Sequence, residues 1–134
     1  MLPKVGDKAS LSRSISPEEI GQFAAVSGDF NPVHVDEEFA GKTRFGGRIA
    51  HGMWSASLIS AVLGTKLPGP GTIYLSQTLA FKAPVRPGET ITATVKVTKV
   101  REDKRIVTLH TYCENAEGQR IVDGEAVVLH EEVV

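Results

Sequence analysis

The sequence predicts an α+β fold in which a long apolar helix packs against a curved antiparallel sheet. Three observations predict it. Helix signals are confined to the first half of the chain, the stretch HGMWSASLISAVLGT from His51 to about Thr65 is apolar through more than four turns, and beyond Gly71 the apolar residues switch to period two. At 134 residues the chain fits one compact domain, residues 1–134, around one core.

Each element follows in order. A short extended opening reads as a strand. Ser16-Pro17-Glu18-Glu19 then offers an N-cap serine, proline at the first helical position and glutamate at the third, a capping box that starts a helix. Ile20, Phe23 and Ala24 give it an apolar face, and Gly28 is its stop. Asp29-Phe30-Asn31-Pro32 is turn-rich, residues 36–40 suit one more helical turn ending near Gly41, and Gly46-Gly47 marks a loop. In the long helix serines rather than charges separate the apolar residues, and apolar groups fall on nearly every side, which predicts a helix enclosed by other structure. The turn signal Leu67-Pro68-Gly69-Pro70-Gly71 precedes β-rich segments over about 72–83, 90–100, 105–114 and 120–130. In the second of these Ile91, Ala93, Val95 and Val97 alternate with Thr92, Thr94, Lys96 and Thr98, so one face is buried and the other wet.

Composition excludes several classes of function. Hydrophobic residues are 41%, charged residues 23% and the formal net charge is −1, the balance of an ordinary globular protein with no support for nucleic-acid binding. Cys113 is the only cysteine, so there is neither a disulfide pair nor a redox CxxC, and a reducing, cytoplasmic home is expected. The N-terminus shows no signal peptide, and the longest apolar segment falls short of the roughly 20 residues that span a bilayer. No cofactor is expected: Gly69-Pro70-Gly71 is a turn, and neither GxGxxG nor a GK[ST] ending is present. No metal is expected either, since Asp29, His34 and Asp36 lack the HExxH or paired-His spacing of a closed ligand set.

Two local patterns carry chemistry. Asp29 and His34 stand five positions apart across a turn stiffened by Pro32, which aims a carboxylate and an imidazole at one ligand. By itself the pattern is met as readily by a turn-capping aspartate and a partly buried histidine. His51-Gly52 heads the long helix, where free N–H groups and the positive end of the dipole make an oxyanion hole that glycine leaves open; the alternative is a glycine that only admits the chain into a crowded core.

Together, GDFNPVH, GGRIAHGMWSASLISAVLG and IYLSQTLAFKAPVRPGE resemble the R-specific enoyl-CoA hydratases of the MaoC-like family over nearly the whole chain, closest to the short bacterial hydratases that supply R-3-hydroxyacyl-CoA for polyhydroxyalkanoate synthesis. The resemblance implies a hot-dog fold, a long helix wrapped by an antiparallel sheet, in a homodimer whose sheets join edge to edge. It implies an acyl-CoA substrate, with an acyl carrier protein thioester as an alternative carrier. It also implies that Asp29 and His34 are the catalytic pair, that the Gly52 N–H receives the thioester carbonyl, and that Ser60 lies near the site. Asn31 and His51 join the expected substrate pocket. Trp54 joins them too; it and Ser55 stand where the family carries aliphatic residues, which gives the acyl pocket a shape of its own. Lys82, Arg86, Lys104 and Arg105 are the candidate cations for coenzyme A phosphates. The chemistry agrees, because hydrating an enoyl thioester needs a base for water, an acid for the α-carbon and a donor for enolate charge. Two rival readings fit the same residues, a hot-dog thioesterase and a silent acyl-thioester-binding subunit.

Overall fold

The computed structural model describes residues 1–131. Strand β1 (Lys8–Ser14) leads to helix α1 (Pro17–Ser27), the single turns α2 (Pro32–Val35) and α3 (Glu37–Gly41), and the long helix α4 (Gly52–Thr65). Strands β2 (Thr72–Gln77), β3 (Ala80–Phe81), β4 (Thr90–Arg101), β5 (Ile106–Glu114) and β6 (Arg120–His130) follow. They form one antiparallel sheet in the order β1-β4-β5-β6-β2, with β3 also paired to β6. This is the hot-dog arrangement, with α4 laid along one face of the sheet.

The local signals act as read. The Ser16 hydroxyl accepts from the Glu19 N–H at 3.2 Å, and the Glu19 carboxylate accepts from the Ser16 N–H at 3.0 Å, closing the capping box. Gly28 ends α1 at φ 81°, a left-handed conformation that costs glycine little. The core is the seam between α4, which buries Leu58, Ile59, Val62 and Leu63, and the inner sheet positions Ile91, Ala93, Val95, Val97, Val107, Leu109, Val122, Ala126 and Val128.

Four features differ from expectation. Thr94, read onto the wet face of β4, is buried, its hydroxyl paired with Ser10 Oγ of the neighbouring β1 at 2.8 Å. Asn31-Pro32 opens a helical turn rather than a plain turn, because the Asn31 side chain caps the Val33 N–H at 3.1 Å and Pro32 presets the first helical φ. Helix α4 is not enclosed all round: Met53, Ser57 and Ser60, spaced as one stripe, are exposed, and the serines make that stripe tolerable in water. Finally, the segment 72–83 is two strands. The chain leaves the ladder at Thr78, whose N–H donates to the Glu125 carbonyl while its hydroxyl accepts from the Glu125 N–H, and it crosses directly over Gly124. A Cβ on Gly124 would lie 1.8 Å from the Thr78 carbonyl oxygen, so this crossing exists only because residue 124 has no side chain.

Candidate active site

The Gly28 cap delivers the chain into a loop that is held at each residue. Ser27 Oγ donates to the Phe23 carbonyl and accepts from the Asp29 N–H at 3.1 Å, and Asp29 Oδ1 accepts from the Asn31 N–H at 3.2 Å. His34 lies on α2, which Arg48 fixes by donating from Nε to the His34 carbonyl at 2.6 Å and from Nη2 to the Pro17 carbonyl at 3.4 Å. The His34 ring is 9% exposed, and its Nδ1 lies 2.8 Å from the Ile49 carbonyl. A carbonyl only accepts, so Nδ1 carries the proton and Nε2 presents a lone pair. Burial pushes the His34 pKa below 6.5; the Ile49 bond and the Asp29 carboxylate pull the other way, while the neighbouring His51 adds to the lowering. Near neutral pH this histidine is a neutral base.

His51, the N-cap of α4, stacks on His34 with ring centroids 4.0 Å apart and an interplanar angle of 28°. Its Nε2 donates to the Asp29 carbonyl at 2.9 Å, so it ties the loop to the helix end. Gly52 opens α4, and its N–H, like those of any first helical turn, has no acceptor within the helix. The Phe81 ring covers the Gly52 Cα closely, with ring carbons 2.8 Å from where a Cβ would stand.

These groups share one cavity of about 480 Å³, lined by Asp29, His34, His51, Gly52 and Ser55 and walled by Phe45, Val85 and Ile121, with Arg44 and Lys82 on its lining. A second space of about 610 Å³, walled by Phe23, Tyr74, Gln77 and Leu79, meets the first at Asp29 and Met53, and Ser60 lines it. The structure therefore brings Asp29, His34, His51 and Gly52 together and sets Ser60 in the adjoining space. Asn31 lines neither cavity; its side chain is the α2 cap. Trp54 lines neither and packs against the core. Of the four candidate cations only Lys82 lines either of these two cavities, and Arg105 instead donates to the His130 carbonyl at 2.8 Å. Ligand atoms of Asp29, His34 and His51 lie within 4.8 Å of one another, whereas Asp36 is not in this group and caps α3 through the Phe39 N–H. Sequence reasoning missed Ile49, Arg48 and Phe81. Ile49 acts through its backbone carbonyl, Arg48 through a guanidinium that meets the carbonyls of His34 and Pro17, and Phe81 through a ring on a distant strand, none of which leaves a local pattern.

The MaoC like domain family matches residues 3–119. An (R)-specific enoyl-CoA hydratase of Rhodospirillum rubrum is 55% identical over 94% of this chain and 87% of its own length. One from Aeromonas caviae is 52% identical over 93% of each. The solved (R)-hydratase from A. caviae involved in PHA biosynthesis superposes with a TM-score of 0.93 at 50% identity, covering 96% of this chain and 98% of that one.

Proposed function

The chain belongs to the MaoC-like domain family, and on that premise we propose that it hydrates trans-2-enoyl-CoA reversibly to (R)-3-hydroxyacyl-CoA, with Asp29 and His34 as its catalytic pair. The observation that carries the site assignment is the fixed tautomer of His34: with Nδ1–H on the Ile49 carbonyl, the free lone pair of Nε2 shares a cavity with the Asp29 carboxylate and the Gly52 N–H.

The steps follow from these groups. The thioester oxygen rests on the Gly52 N–H at the positive end of α4, which draws electrons toward the carbonyl and leaves C3 electron-poor. Water held by Asp29 and His34 attacks C3 as His34 Nε2 takes its proton, and the C2–C3 π electrons move to form the enolate. Collapse of the enolate takes a proton at C2 through the same pair, giving the 3-hydroxyacyl thioester with no external reductant or oxidant. Reaction from one side of a fixed enoyl plane sets a single configuration at C3. Arg44 and Lys82 suit the coenzyme A phosphates at the cavity lining, and the space bounded by Ser60 suits the acyl chain. Acyl carrier protein thioesters carry the same reacting group.

We also infer a homodimer. Ile73, Tyr74 and Leu75 on the edge strand β2, Phe81 on β3 and Met53 beside them are all exposed, an apolar stretch on an open sheet edge that a second copy would pair and cover. No helix among the described residues is long and apolar enough to cross a membrane. A cytoplasmic setting suits Cys113, which is a buried thiol.

The test uses crotonyl-CoA, following loss of enoyl absorbance, release of thiol and product configuration. Hydration without thiol release and an R product are expected. Folded Asp29→Asn and His34→Ala variants should each lose orders of magnitude in turnover, and the double variant should be little worse than the poorer single one, because either loss disables the shared step. A folded single variant that keeps most of its activity would overturn the pair; an S product would overturn the stereochemistry.

A further inference from the structure

Two polar atoms in the wall of the active cavity lack hydrogen-bond partners. His51 is 2% exposed and Ser55 is 1% exposed, and neither the Nδ1 of the one nor the Oγ of the other meets a bonding group among the described residues. Both residues line the cavity that holds Asp29, His34 and Gly52. They stand four positions apart at the head of α4, and a helical side chain leans toward the N-terminus over the preceding turn, which carries Ser55 Oγ toward the His51 ring. The two rings packed on it offer no donor to Nδ1: Phe23 is an apolar ring with its centroid 4.8 Å away, and the stacked His34 directs its Nδ1 proton at Ile49.

The two orphans are complementary. Because Nε2 holds its proton against the Asp29 carbonyl, Nδ1 is a bare acceptor, whereas a serine hydroxyl both donates and accepts. A ligand that satisfies both must donate and accept and must be small.

We propose that His51 Nδ1 and Ser55 Oγ hold one ordered water between them in the cavity wall, and that Ser55, acting through this water, fixes the His51 tautomer that anchors the Asp29 loop. The water donates one hydrogen to Nδ1 and completes its bonding with the serine hydroxyl. This keeps the proton on Nε2. With the proton on Nδ1 instead, the Nε2 lone pair would face the Asp29 carbonyl oxygen, two acceptors 2.9 Å apart, and the tie from α4 to the loop would be lost. Ser55 is thus a positioning residue for Asp29.

The experiment compares wild type with Ser55→Ala and Ser55→Thr. Long-range proton–nitrogen spectra of the histidine rings, with the His51 signals identified by their loss in His51→Gln, read the tautomer above the histidine titration range. Wild type and Ser55→Thr should show His51 protonated at Nε2 alone, and Ser55→Ala a mixture of tautomers. Crystal structures of wild type and Ser55→Ala should show the water bonded to both atoms in the first and gone from the second. For crotonyl-CoA hydration kcat should fall about tenfold in Ser55→Ala with KM little changed, the low end of what loss of an outer hydrogen-bond partner costs, and Ser55→Thr should restore it. An unaltered His51 tautomer in folded Ser55→Ala overturns the proposal, as does a wild-type crystal structure in which Ser55 Oγ bonds Nδ1 directly with no water. Water and tautomer are observed without turnover, so only the kcat comparison rests on the Asp29–His34 reading, and failure of the two ideas is distinguishable.

Discussion

At Gly52 the missing side chain has two uses that mutation can separate. A Cβ there would meet the Phe81 ring at 2.8 Å, and it would also stand beside the N–H that the proposed mechanism offers to the thioester oxygen. Gly52→Val should lower turnover about 10²–10³-fold, the usual cost of one oxyanion donor. Adding Phe81→Ala removes the clash but not the obstruction at the N–H, so the double variant should regain thermal stability and stay inactive; recovery of activity would show that Gly52 serves packing alone. His34 supplies a second residue-scale prediction. Its pKa is held below 6.5, chiefly by burial, so the neutral base persists to lower pH than for a free histidine. Accordingly kcat/KM should fall on acidification with an apparent pKa below 6.5, and His34→Ala should abolish that limb of the profile. The linked stability has the same sign: between the two pKa values the unfolded chain takes up a proton that the folded one refuses, so stability falls as pH drops through that window and is unaffected above it. Denaturant melts of wild type and His34→Ala across that range check it.

Among the elements, local signals fixed α1, where Ser16 and Glu19 satisfy each other's N–H, and β5, whose residues alternate between inside and outside without a break. The division of 72–83 into β2 and β3 has no comparable signal. It depends on Gly124, almost fifty residues later, which lets the Thr78 carbonyl pass where a side chain would stand. Gly124→Ala should therefore cost at least about 3 kcal/mol, the upper range for overpacking, because the obstacle is backbone rather than a movable side chain. Chemical denaturation measures this, and a loss under about 1 kcal/mol would mean that the crossing relaxes freely.

For the whole molecule the open edge of β2 matters most. If a second copy pairs there, Leu75→Lys places a charge in the apolar seam and should shift the protein from dimer to monomer in sedimentation analysis, with activity falling alongside because the space at Met53 and Ser60 opens to solvent. A monomeric wild type would sink the dimer. The order of elements, the capped start of α1, the inward Ile91, Ala93, Val95 and Val97 of β4 and the placing of Asp29 and His34 on either side of Pro32 were legible in the sequence, because capping, period and turn chemistry act over a few residues. What only the tertiary structure decided is which atoms of those residues are free to act. The Ile49 carbonyl chooses the His34 tautomer, the Asp29 carbonyl receives the His51 Nε2 proton, Arg48 pins α2 to α1, and Phe81 covers Gly52. Trp54 was turned to the core and Ser55 to the cavity by the rotation of α4 against the sheet. Each of these depends on a backbone group or a ring brought in from a separate element, and a carbonyl is the same in every residue, so no pattern of side chains along the chain could have announced it.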